Sequence, residues 1–116
     1  MGTREKNILI LECDQGVATT VCGMAEGLGH RTCVCDTTDG ALTELSRKHY
    51  DVVIANHLLK HASVSLPWLI RSVQPDARIV VTSTWRMAAD AAATADCLLH
   101  KPFGMAELGL AIDAAQ

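Results

Sequence analysis

Cysteine and histidine are the residue types best equipped for chemistry here, with five of each in 116 residues. Cys33 and Cys35 stand two apart, and residues so spaced share a face in a strand. Two thiols on one face suit a soft metal ion, with His30 or Cys97 as a further ligand. Small buried hydrophobes are the plainer reading and the one preferred. His57 and His61 stand four apart, a zinc-ligand spacing on a helix. Their surroundings read as loop and no third ligand is evident, so a solvated pair is preferred. No CxxC pair is present. An odd cysteine count behind a polar start, Met1 to Lys6, with no apolar signal region, points to reduced thiols in the cytoplasm. Gly2 lacks the hydroxyl residue that myristoylation wants, since Lys6 stands in that place.

Other classes fall on bulk properties. The formal charge is −3 and Lys and Arg are scattered, so no basic stripe offers itself to nucleic acid. No apolar run approaches the roughly 20 residues needed to span a bilayer. Residues 1–116 read as one domain without repeat or linker.

The elements alternate. Asn7 to Glu12, Thr32 to Cys35, Asp51 to Ala55, Arg78 to Ser83 and Asp96 to His100 read as strands. Between them, helical spacing is expected from about Gly16 to Leu28, with Val17, Val21, Met24 and Leu28 on one face. A Thr37-Thr38-Asp39-Gly40 turn precedes a helix holding Leu42, Leu45 and His49. A third helix runs from Leu66 to Val73, capped by Ser65, and an Ala-rich one from Arg86 to Thr94. The last carries Met105, Leu108 and Ile112. Unbroken apolar strands indicate a parallel sheet covered on both faces. The expectation is an α/β fold, a (βα)5 three-layer sandwich with a doubly wound parallel sheet.

In such sheets ligands sit at the carboxyl ends of the strands, at the switch in strand order. That rule selects Glu12, Cys13 and Asp14, then Asn56 and His57, then Ser83 and Thr84, then Lys101 and Pro102. At these places the chain resembles the receiver domain of bacterial response regulators. Ala95 to Phe103, ending Lys101-Pro102-Phe103, is similar to that family's closing segment. Ile8 to Asp14 looks like its apolar strand leading to an acidic pair, Tyr50 to Asn56 like the strand that delivers the phospho-accepting aspartate, and Arg78 to Thr84 like the strand ending in a hydroxyl residue. The resemblance covers nearly the whole chain and implies a flavodoxin-like sheet of order 2-1-3-4-5.

It also implies roles. In the family the acidic pair and the acceptor aspartate bind Mg²⁺, the acceptor carboxylate attacks phosphorus, and the hydroxyl and lysine hold the phosphoryl oxygens. Here Glu12 keeps the first acid, Cys13 replaces the second, and Asn56 replaces the acceptor. Ser83 and Lys101 are kept, Thr84 replaces a small residue, and Leu98 stands at the aromatic switch position. Lys101-Pro102 is a cis-peptide candidate by the same resemblance.

The departures fall on the chemistry. An acylphosphate needs a carboxylate nucleophile, and the Asn56 carboxamide is not one. Mg²⁺ favours hard oxygen ligands, so with a thiol and an amide in place of two acids its binding at Glu12 is expected to be weak or absent. Lys101 then needs a partner, for which Glu12 and the Asn56 amide are the candidates. Cys13 near that cation is a candidate redox-sensitive thiol, with an inert thiol preferred.

The expected function is an atypical receiver acting as a phosphorylation-independent interaction module, not an enzyme, without a cofactor. Its partner is a histidine kinase or another regulator domain, with a homodimer open. Trp85, Arg86 and Phe103 are the interaction candidates, and Trp68 is the other tryptophan. Rival readings are a working receiver whose aspartate was artificially replaced by Asn56, which leaves Cys13 and Thr84 unexplained, and a metal, small-molecule or redox sensor on the same fold. A flavin carrier would need a hydroxyl- and Gly-rich loop where Asp14 to Ala18 stand.

Overall fold

Three strands are apolar almost end to end, and burial follows. A computed structural model describes residues 5–56, 66–83 and 95–113. In it β1 (Asn7–Leu11), β3 (Val52–Asn56) and β4 (Arg78–Ser83) form the middle of the sheet. β2 (Arg31–Cys35) and β5 (Cys97–His100) form its edges, where burial is partial. All pairings are parallel, in the order β2-β1-β3-β4-β5. The expected order is the observed one. It reverses direction between β1 and β3, which opens a crevice at the strands' carboxyl ends.

Alternation along each strand builds two cores. Leu9, Leu11, Val53, Ala55, Ile79 and Val81 pack with α2 (Thr38–Arg47) and α3 (Leu66–Val73). Ile8, Ile10, Val52, Ile54 and Val80 pack with α1 (Gln15–Gly27) and α4 (Met105–Asp113). At the opposite end of the sheet, the Asp51 and Asp96 carboxylates receive the backbone N–H of Asn7 and Ile79, both at 2.8 Å.

Several expectations change in detail. Residues 37–40 are not a free turn. Thr37 is the N-cap of α2, its side chain accepting from Gly40 N at 3.0 Å, and Thr38 already lies in the helix. Turn and cap chemistry use the same residue types, which is why the two are confused. His49 lies beyond the end of α2 and is exposed. Met105 is 44% exposed, and Ala111 takes its place beside Leu108 and Ile112. The Met105 methyl lies over Gly27, where an added Cβ would meet it at 3.0 Å. Trp68 is exposed on α3. The expected helix from Arg86 to Thr94, the Ser65 cap, the His57/His61 pair, and the candidates Thr84, Trp85 and Arg86 lie outside the described residues. Among the described residues no helix is long and apolar enough to cross a membrane.

Candidate functional site

Three strand ends bring three side chains together. Glu12 follows β1 and is 4% exposed, its N–H held by Cys35 O at 3.0 Å. Asn56 ends β3 and is also buried. Lys101 follows β5, tied by its N–H to Ser83 O at 2.7 Å, and the Lys101-Pro102 peptide is cis. The Asn56 Nδ2 donates to both Glu12 oxygens, at 3.1 Å to Oε1 and 3.0 Å to Oε2. The Lys101 ammonium donates to Oε1 at 3.3 Å, and Asp14 N–H donates to Oε2 at 3.1 Å.

The charges close on themselves. One carboxylate faces one ammonium, and the third side chain is a neutral amide. A carboxylate with two oxygens and about four lone-pair positions has here four donor contacts. Burial of the carboxylate beside the half-buried ammonium is tolerable because it has an ion-pair partner and hydrogen bonds.

The other selected residues divide. Ser83 ends β4 beside this group and is buried. Asp14 does not add a second acid to the group, because its Oδ1 is the N-cap of α1, accepting from Val17 N at 3.0 Å. Cys13 is exposed, and the ammonium expected beside it is bonded to Glu12. Leu98 lies on β5 with 36% exposure, in register with Val81. Phe103 is not a free anchor. It is half-buried against the α1/α4 core and, with Val17, Val21 and Met24, lines a cavity of about 300 Å³ beside Lys101.

A second polar cluster lies under α2, and the sequence had no spacing that announced it. Glu44 Oε2 accepts from Tyr50 Oη at 2.9 Å and lies 3.9 Å from Cys33 Sγ. Burial, then hydrogen bonds with Cys33 and Glu44, drives the Tyr50 phenol upward. Burial, then the nearby Cys33 and Glu44, pushes the Cys35 thiol up to about 11. The residues that a metal site at the cysteine pair would have drawn on, His30 or Cys97, lie elsewhere. His30 Nδ1 accepts from Lys6 N–H at 3.1 Å, and Cys97 packs in the core on the other side of the sheet.

No family model matches the chain, and no curated protein sequence matches it significantly. Solved structures do match. A two-component response regulator from Clostridium difficile superposes with TM-score 0.82 at 21% identity, over 95% of this chain and 94% of that one. The receiver domain of a sensor histidine kinase from Pseudomonas aeruginosa, with magnesium coordinated in its active-site cleft, superposes with TM-score 0.78 at 22% identity, covering 94% and 95%. A response regulator from Burkholderia pseudomallei bearing a phosphorylated aspartate gives TM-score 0.80 at 24% identity, covering 95% and 68%. The chain therefore has the fold of CheY-like receiver domains.

Proposed function

We propose that this chain is a receiver-type signalling domain that neither binds Mg²⁺ productively nor accepts a phosphoryl group. It acts as a protein-interaction module in two-component signalling in the cytoplasm and catalyses no reaction of its own. A histidine kinase or another regulator domain is the partner class, and self-association through the same surface is compatible with it.

One observation carries the reading. Asn56, at the end of β3, gives its amide N–H groups to Glu12. A receiver needs there an anion that attacks phosphorus, and a carboxamide offers a poor nucleophile. The metal argument follows from charge. Among the described residues of the group the one carboxylate, Glu12, is already paired with Lys101. A divalent cation would have to displace that ammonium and then find an amide and a soft thiol where hard oxygens are wanted. Lys101, freed from holding a phosphoryl oxygen, serves as the counter-ion that keeps Glu12 buried.

The test is a gain-of-function pair. Wild-type protein and the double variant Cys13→Asp/Asn56→Asp are titrated with Mg²⁺ by calorimetry. The double variant is expected to bind saturably and the wild type not. Saturable, site-specific Mg²⁺ binding to the wild type at Glu12 would contradict the reading.

A further inference from the structure

β2 stands at one edge of the sheet, and among the described residues no strand lies beyond it. Its inner side is accounted for. Arg31 N–H donates to Lys6 O at 2.9 Å, and Cys35 O accepts from Glu12 N–H at 3.0 Å, with Asn7 and Leu11 as the partners in register. Bonding residues alternate along a strand. Arg31, Cys33 and Cys35 therefore turn their backbone groups to β1, while Thr32 and Val34 turn theirs to the open edge. Natural edges are blunted by lysine, proline, a bulge or a covering element. Among the described residues β2 has none of these. It reads Arg-Thr-Cys-Val-Cys, its register runs without a bulge, and Val34 is 44% exposed.

An open ladder accepts another strand, and the charges at its ends select which. Arg31 opens β2 and holds an exposed partner, Glu5, at 2.8 Å, a pairing that water and salt make weak. Asp36 follows the other end, exposed, its side chain without a hydrogen bond or ion pair among the described residues. A strand with a cation at one end and an anion at the other is complementary to itself run antiparallel. We propose that β2 pairs with the β2 of a second copy of this chain about a two-fold axis, joining two five-stranded sheets into one.

The outward groups also fix the register. A two-fold axis normal to a sheet passes where a residue faces its own counterpart. Centred on Cys33, it sets Thr32 opposite the partner's Val34 and Val34 opposite the partner's Thr32. Both are hydrogen-bonded pairs, and together they use every outward backbone group of the strand. Arg31 then faces the partner's Cys35, one residue from the partner's Asp36. Cys33 meets the partner's Cys33 at a non-hydrogen-bonded position, with Cα atoms about 4.5 Å apart, a separation that a disulfide spans. A ladder this short gives a weak dimer that forms with rising concentration. The inference concerns the edge opposite β5 and is independent of the phosphoryl question.

The experiment reads mass against concentration. Sedimentation equilibrium of the reduced full chain should show monomer passing to dimer by about 1 mM. Val34→Pro removes an outward N–H, a change that an edge strand tolerates. That variant should keep the wild-type circular dichroism spectrum and stay monomeric. Arg31→Glu, which puts like charges at both ends of the ladder, should also weaken association. A wild type that is monomeric throughout, or a Val34→Pro protein that associates as the wild type does, would overturn the pairing. A second measurement needs no variant. Hydrogen peroxide oxidises two thiols to one disulfide and is itself reduced to two waters. At the dimer-forming concentration the oxidised wild type should yield a peptide linked Cys33 to Cys33. Failure to recover that link, with or without links through the exposed Cys13, would also overturn it.

Discussion

At the scale of single residues, the Glu12 carboxylate is the point on which the pocket turns. It is buried, and four donor contacts from three residues hold it. Removing the cation leaves a buried charge with only neutral donors. Lys101→Met should cost about 3 kcal/mol, the low end for an uncompensated buried ion, because the Asn56 and Asp14 donors remain. Urea denaturation checks this as a fall in midpoint at unchanged slope. An unaltered midpoint would mean that the bridge contributes nothing. Asn56→Asp is the opposite case, placing a second carboxylate within about 3 Å of the first. Like charges that close raise one carboxyl pKa in the folded state. The cost is then absent in acid, below the unfolded carboxyl pKa, and grows as pH rises toward the raised folded value. At neutral pH it should reach about 1 to 3 kcal/mol, the equivalent of one or two pKa units. Stability of the variant and wild type measured at pH 4 and pH 7 checks the sign: the gap is expected to be wider at pH 7.

At the scale of elements, the carboxyl end of the sheet carries the site and the amino end holds strands and helices in register. Asp96 illustrates the second task. Burial alone would push its carboxyl up, but the Ile79 N–H and the Arg71 guanidinium, the latter at 2.9 Å, outweigh that and hold it below its ordinary value. A depressed folded-state pKa contributes stability above the unfolded value and loses it as pH falls through the folded one. Asp96→Asn should therefore be less stable than wild type at neutral pH, with the difference shrinking as pH falls below about 4. Thermal denaturation across that range reads it. A difference that stayed constant with pH would show that the charge of Asp96 is immaterial. How well each element could be read in advance follows from how local its cause is. β1, β3 and β4 declare themselves because an apolar run has one physical use in a small domain. The start of α2 was obscured because Thr37 and Asp39 suit a turn as well as a cap. Met105 was misplaced because periodicity marks a face without saying how far the sheet extends beneath the end of a helix.

At the scale of the molecule, the strand order does for function what no single motif does. The reversal between β1 and β3 brings residues 12 and 56 together, and the parallel edge strand β5 adds residue 101. That convergence was legible, since the rule about strand ends needs only the order of elements. The Cys33–Glu44–Tyr50 cluster was not. It depends on how α2 lies across β2, a tertiary fact without a sequence period. The same sheet in other chains carries a metal or a phosphorylated aspartate. Sharing a fold does not transfer that chemistry, which rests on the side chains at the site. The most direct measurement is the intact mass of the wild-type protein after incubation with acetyl phosphate and Mg²⁺, beside a receiver that retains its aspartate. The control should gain one phosphoryl group and this chain none. A stoichiometric gain here, mapped to the cleft between Glu12, Asn56 and Lys101, would contradict the account.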